Sequence, residues 1–105
     1  MSTPNTLPHT VFLPMIVGIG GHTVSAAERA FFTQHPVAGF ILFARNCDTP
    51  EQVAALVQEL RALAGHAHPL ILIDQEGGRV ARLKPPHWPE LPPARTLGAL
   101  ATAQD

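Results

Sequence analysis

The residues best suited to chemistry lie in one short stretch, where Asp74, Glu76 and Arg79 surround the Gly77-Gly78 pair. Asp74 directly follows four apolar residues, so we expect its carboxylate at the end of a strand and partly buried. Burial of a carboxylate is costly unless hydrogen bonds replace the lost water. A pair of substrate hydroxyls would supply them, and so would a nearby arginine. Two interpretations of Asp74 therefore stand side by side. It is a substrate-binding carboxylate, or it has a structural role in which it caps the next loop or pairs with Arg79 or Arg82.

Glu76 raises the question of a catalytic carboxylate pair. On an extended chain, carboxylates two residues apart are separated by roughly 7 Å. That value lies between the separations expected for inverting and retaining glycoside hydrolysis. A solvated or arginine-paired Glu76 is the simpler interpretation. The Gly77-Gly78 pair permits unusual backbone angles and the close approach of a ligand, but it lacks the spacing of a phosphate-binding loop.

Other reactive side chains give weaker signals. His66 and His68 lie two residues apart, but no second histidine or cysteine pair completes a metal-binding spacing. No serine occupies a nucleophile elbow. Cys47 follows Arg45 without an identifiable base, so we interpret it as an ordinary thiol. As the single cysteine, it cannot form an internal disulfide.

Three short apolar runs predict strands at residues 15–19, 39–44 and 70–73. Between the first two, Ser25 and Glu28 predict a capping box for a helix that ends near His35. A second helix is expected to begin with Thr49 as its cap, with Gln52 closing another box. It should bury one apolar stripe and stop at Gly65. The stripe consists of Val53, Leu56, Val57, Leu60, Leu63 and Ala64. A further helix is predicted over residues 96–103.

The alternation of strands and helices predicts an α/β fold. Because the strands are continuous apolar runs, we expect a parallel sheet covered on both faces. Either an open doubly wound sheet or the first part of a (β/α)8 barrel fits, and a barrel needs about 250 residues. Polar residues come after each run and should converge on the carboxyl edge of the sheet, where ligands bind in such folds. They occupy residues 20–22, 45–46 and 74–79.

Composition excludes several classes of function. The 105 residues are 46% hydrophobic and carry a formal net charge of -1, so the sequence is too apolar for a disordered segment and shows no electrostatic footprint for nucleic acid or an anionic membrane. The length allows one domain at most. No apolar run approaches the roughly 20 residues of a membrane span, and no signal peptide is recognisable. These features predict a cytoplasmic setting.

Two segments resemble glycoside hydrolase family 3, and specifically its bacterial cytosolic β-N-acetylhexosaminidase branch. The first runs from Ala38 to Asn46 with the sequence AGFILFARN, and the second runs from Ile73 to Leu83 with the sequence IDQEGGRVARL. The Leu91-Pro92-Pro93-Ala94 segment is also similar to the next stretch of the family's sequences. The likeness extends over about residues 11 to 104.

The resemblance implies the N-terminal portion of a (β/α)8 barrel, with about three βα units of eight. One partial barrel domain would span residues 1–105 and include a Pro-rich loop at 84–95. The implied activity is removal of terminal β-linked N-acetylglucosamine from peptidoglycan fragments by a retaining mechanism, with no metal or organic cofactor. Substrate binding falls to Asp74 and Arg82. Supporting positions at the edge of the site are Arg45, Asn46, Glu76 and Arg79.

The nucleophile and the acid/base histidine of the family have no counterpart here, so they are expected beyond residue 105. The isolated chain is therefore predicted to be inactive. Two alternatives stay open: a non-catalytic fragment that binds sugar or self-associates through its unclosed sheet, and a β-glucosidase-type specificity within the same family.

Overall fold

The computed structural model describes residues 11–103. Its three strands form one parallel sheet in the order β1-β2-β3, which confirms the predicted strand direction and α/β class. The strands are β1 (Leu13–Val17), β2 (Val37–Leu42) and β3 (Leu70–Ile73), and the helices are α1 (Ala26–Gln34), α2 (Pro50–Ala64) and α3 (Ala94–Ala103), with a 3-10 turn at Ala44–Asn46.

The two crossover helices begin and end where their capping residues dictate. The hydroxyl of Ser25 accepts from the Glu28 backbone N–H at 3.1 Å and the Glu28 carboxylate accepts from the Ser25 N–H, which confirms the capping box of α1. Thr49 caps α2 as predicted. The prediction that Gln52 closes a capping box was wrong. Its side chain accepts from the N–H of Asp48 and not from that of Thr49. Gly65 ends α2 in the left-handed conformation.

The core lies between the helices and one face of the sheet. Val17, Phe40 and Ile71 are register partners across the three strands and all pack into it. The ring of Phe40 is fully buried and meets Phe32 of α1 edge-on, with ring centroids 5.3 Å apart. The predicted stripe of α2 supplies the other side, with Leu56, Leu60, Leu63 and Ala64 buried and Val53 and Val57 packed against them.

The opposite face of the sheet is uncovered within the described residues. We call it the bare face and define it by Ile16, Leu70 and Leu72, which are 41%, 49% and 40% exposed. Each of them alternates along its strand with a residue that packs into the core. Among residues 11–103, the expectation that both faces are covered was therefore wrong. Both crossover helices lie on the same side, and α3 buries none of its residues.

Strands β1 and β2 start and end about two residues earlier than predicted, whereas β3 lies where predicted. Beyond the ends of β1 and β2, side chains form hydrogen bonds with backbone groups that would otherwise continue the sheet. The carbonyl of Ile19 accepts from Arg45 and Asn46, and the N–H of Phe43 donates to the Asn46 amide oxygen. Ile19 is nevertheless buried in the core. At the other end of the chain, α3 begins at Ala94, two residues before its predicted start.

Among residues 11–103 there is no helix with both the length and the apolar character that crossing a membrane requires.

Candidate functional site

Three segments meet at the carboxyl ends of the strands, and we refer to residues 19–22, 43–48 and 74–83 together as the rim. Asn46 joins the first two segments. Its side chain is fully buried, donates to the carbonyls of Ile19 at 3.2 Å and Gly21 at 2.7 Å, and accepts from the Phe43 N–H at 2.8 Å. Gln52 reinforces the junction by donating to the carbonyl of Asn46. The fully buried Asn46 amide thus hydrogen-bonds the backbone of both segments and is not accessible to a ligand.

The ring of Phe43 connects the second segment of the rim with the third. The guanidinium carbon of Arg45 lies 4.8 Å from its centroid, and that of Arg82 lies 5.9 Å away. Both distances are within the range of a cation–π interaction. Arg45 is also fixed by donation from Nε to the Ile19 carbonyl at 2.9 Å. The structure therefore brings both arginines into contact with one aromatic ring.

Asp74 and Arg82 form the polar centre of the rim. An oxygen of Asp74 lies 3.5 Å from Nη2 of Arg82, which is a long ion pair. The side chain of Asp74 is 47% exposed and that of Arg82 is 24% exposed. Nε of Arg82 is buried and makes no hydrogen bond to any described residue. Of the two arginines considered for Asp74 from the sequence, the structure selects Arg82, and residues 11–103 use only a small part of the hydrogen-bonding capacity of the pair.

Gln75 is a residue of the rim that the sequence analysis did not single out. Its Oε1 accepts from the backbone N–H of Arg82 at 2.9 Å and of Leu83 at 3.0 Å, while its Nε2 donates to the Leu83 carbonyl at 2.9 Å. A glutamine in a loop carries no periodicity or spacing that would reveal such contacts. The only signal was its place directly after Asp74.

The Gly77-Gly78 pair forms the turn of the loop. The segment that packs closely against these glycines is the chain's own backbone at Leu91 and Pro92. Gly77 is buried with φ +91°, and a side chain there would collide with the carbonyl of Pro92. Gly78 donates its N–H to the Leu91 carbonyl at 2.9 Å. The expectation that these glycines admit a ligand is thus replaced by a structural role, because the backbone at 91–92 occupies that space.

Glu76 and Arg79 are not brought to the Asp74–Arg82 pair. Both are exposed, and neither forms an ion pair with any residue in the range 11–103. Arg79 lines a cavity of about 470 Å³ together with Leu83 and Glu90. Arg82 lines a different cavity, of about 270 Å³, between the segments that carry Cys47, Asp48, Lys84 and Trp88.

Two groups with shifted pKa values lie in or beside the rim, namely Cys47 and Glu28. Burial works to raise the pKa of Glu28, but the N–H groups of Ser25 and Gly20, the Ser25 hydroxyl and the nearby Arg45 outweigh it, so its pKa is lowered. Glu28 is therefore an anion that holds the Gly20 N–H at 2.8 Å. Burial raises the pKa of the Cys47 thiol, which is the opposite of an activated nucleophile.

Within the part of the chain that the structure describes, no group of three histidine, cysteine, aspartate or glutamate side chains is arranged to hold a metal ion. What the rim offers is a half-exposed carboxylate beside a guanidinium with few hydrogen bonds of its own. This combination suits a polyhydroxylated ligand, because the carboxylate accepts from hydroxyl donors and the guanidinium donates to hydroxyl or carbonyl oxygens.

Comparison with known proteins gives consistent matches. The chain is 46% identical over 85 residues to a β-hexosaminidase of Chromobacterium violaceum, covering 81% of this chain and 23% of that protein. It superposes on the NagZ of Neisseria gonorrhoeae in complex with N-trifluoroacetyl-D-glucosamine with a TM-score of 0.79 at 29% identity, covering 93% of this chain and 29% of that one.

A glycoside hydrolase family 3 β-N-acetylglucosaminidase of a Paenibacillus strain matches with a TM-score of 0.73 at 38% identity, covering 85% of this chain and 17% of that one. No family model matches the sequence. The chain spans about a quarter of the length of the curated relatives it matches.

Proposed function

Because the chain belongs to glycoside hydrolase family 3, as the N-terminal part of a β-hexosaminidase-like protein, we propose that it holds the terminal sugar of a β-linked N-acetylglucosaminide. The single observation that carries this proposal is the Asp74–Arg82 pair, which is accessible at the carboxyl ends of the strands and makes few hydrogen bonds to the residues that the structure describes. The relative crystallised with N-trifluoroacetyl-D-glucosamine has the same fold over this segment.

In the proposed complex, the carboxylate of Asp74 accepts hydrogen bonds from sugar hydroxyls. Arg82 donates from its Nη atoms to a second oxygen of the same ring. Both contacts are charge-assisted and therefore stronger than neutral hydrogen bonds. If they shorten as the ring flattens toward an oxocarbenium-like state, they lower the barrier rather than only the dissociation constant.

The reaction we propose is a two-step hydrolysis with retention. A carboxylate attacks the anomeric carbon, and the glycosidic oxygen leaves with a proton from a general acid. Water then attacks the glycosyl ester, gives its proton to the same group, and releases the sugar and the carboxylate. We propose that both reacting groups lie in the part of the relatives that this chain does not span.

The fold proposed for such a protein is a (β/α)8 barrel to which residues 1–105 contribute about three βα units, including the Pro-rich loop at 84–95. In this arrangement the bare face, with Leu70 and Leu72, would face the barrel interior. A terminal N-acetylglucosamine of a peptidoglycan fragment is the proposed substrate, and the cytoplasm is the proposed location. We propose that this chain brings no metal or organic cofactor to the reaction.

The proposal is tested with a chimaera in which residues 11–103 replace the segment they match in the Chromobacterium violaceum β-hexosaminidase. We expect hydrolysis of 4-nitrophenyl N-acetyl-β-D-glucosaminide well above that of the corresponding glucoside, measured as kcat/KM for both. A preference for the glucoside would favour the β-glucosidase specificity. A folded chimaera that cleaves neither substrate would contradict the proposed function.

The bare face favours a second, non-catalytic candidate for the isolated chain, namely association with another copy of itself. Ile16, Leu70 and Leu72 expose apolar surface on the sheet, and β1 and β3 are its two edge strands within the described part of the chain. Unpaired strand edges next to apolar surface promote pairing between chains.

For the 105-residue chain, sedimentation equilibrium should therefore show a mass above that of the monomer. Replacing Leu70 and Leu72 together by threonine should shift the distribution toward monomer, since threonine keeps strand propensity while reducing apolar area. A parent chain that remains monomeric at high concentration would contradict this second candidate.

A further inference from the structure

From the contacts of its side chain, we infer that Gln75 is a positioning residue that sets the placement of Arg82 at the sugar-binding pair. This inference rests on the proposed function and adds a residue to it. Gln75 would not touch the substrate. Its amide instead binds the backbone at the far end of the loop that separates Asp74 from Arg82.

The first support is the arrangement of the contacts. Three hydrogen bonds, all between 2.9 and 3.0 Å, join one side chain to the backbone of two consecutive residues, Arg82 and Leu83. Because Gln75 directly follows Asp74, these bonds clamp the Arg82 backbone against the strand end that carries the carboxylate. All three hydrogen bonds lie in partly buried surroundings, where lost hydrogen bonds are poorly replaced by water.

The second support is that the Arg82 side chain makes few polar contacts with the described residues, and that these are long. It makes one ion pair at 3.5 Å, lies 5.9 Å from the Phe43 ring, and leaves Nε without a partner among the described residues. Such contacts do not fix a long side chain in one place. The position of the guanidinium therefore depends on the backbone anchor, and Gln75 supplies that anchor.

The decisive experiment is a double-mutant cycle in the chimaera with Gln75→Met and Arg82→Ala. Methionine keeps the length of the side chain but removes Oε1 and Nε2. We expect Gln75→Met to lower kcat/KM about tenfold by misplacing Arg82. The double variant should lie within about twofold of Arg82→Ala alone, because Gln75 acts only through Arg82. Gln58→Met, an exposed position of α2, is the matched control and should keep the parental rate.

A second measurement uses the 105-residue chain and does not depend on activity. Gln75→Met should accelerate hydrogen exchange of the Arg82 and Leu83 amides about tenfold and leave the amides of α2 unchanged. Unchanged exchange at both amides would overturn the inference, and so would additive losses in the double-mutant cycle. An unsubstituted chimaera without activity would instead contradict the proposed function, and the positioning role would fall with it.

Discussion

Replacement of Asp74 by alanine is expected to lower kcat/KM of the chimaera on 4-nitrophenyl N-acetyl-β-D-glucosaminide by at least about 100-fold. Each charge-assisted hydrogen bond contributes about 1.5–3 kcal/mol, and the substitution removes two of them from the sugar. Arg82 also loses its ion-pair partner at 3.5 Å. The loss should appear in kcat as well as in KM, because these contacts strengthen toward the transition state.

The fold should survive this substitution. The side chain of Asp74 is 47% exposed, and ion pairs that exposed contribute less than about 1 kcal/mol to stability. Asp74→Asn should retain more activity than Asp74→Ala, since the amide oxygen still accepts. Glu51→Ala, which removes an exposed carboxylate from the first turn of α2, serves as the control. A loss of less than about threefold in Asp74→Ala would remove this residue from the proposed site.

Asn46→Ala is expected to lower the free energy of unfolding of the 105-residue chain by about 3 kcal/mol. The substitution leaves the Phe43 N–H and the Gly21 carbonyl without their partner and empties space at a fully buried position. The carbonyl of Ile19 is protected in part, because Arg45 also donates to it.

Urea unfolding followed by far-ultraviolet circular dichroism measures this difference. Gln58→Ala, at an exposed position of α2, should change the unfolding free energy by less than about 0.5 kcal/mol and is the matched control. A decrease below about 1 kcal/mol in Asn46→Ala would show that water replaces the lost contacts and that the first two rim segments do not depend on Asn46.

Local features of the fold were predictable because local chemistry decides them. The Ser25 cap, the Thr49 cap and the Gly65 stop each depend on groups within a few residues of one another, and the structure contains all three. The ends of β1 and β2 were not predictable to the residue. There the side chain of Asn46, distant in sequence from β1, donates to the Ile19 carbonyl and accepts from the Phe43 N–H, so these backbone groups do not continue the ladder.

The bare face shows what an apolar pattern leaves undetermined. The run from Leu70 to Ile73 is continuous, and such a run normally belongs to a strand covered on both sides. The pattern specifies that both faces avoid water, but not which element covers each face. In residues 11–103 the helices cover only the face with Ile71 and Ile73.

The polar residues at the strand ends predicted where the candidate site lies. The family resemblance then assigned substrate binding to Asp74 and Arg82 rather than to the residues around them. The roles of Glu76, Arg79, Arg45 and Asn46 in supporting the edge remain predictions. The structure places Asn46 and Arg45 in contact with the backbone of Ile19, whereas Glu76 and Arg79 face solvent.

The close contact between Gly77 and the Pro92 carbonyl matters for directed evolution, because it determines which positions of the loop tolerate substitution. No side chain fits at Gly77, and its φ of +91° disfavours every residue with a β-carbon. The two solvent-facing neighbours, Glu76 and Arg79, carry no such restriction. A combinatorial library of this loop should therefore randomise these two codons and leave that glycine codon untouched.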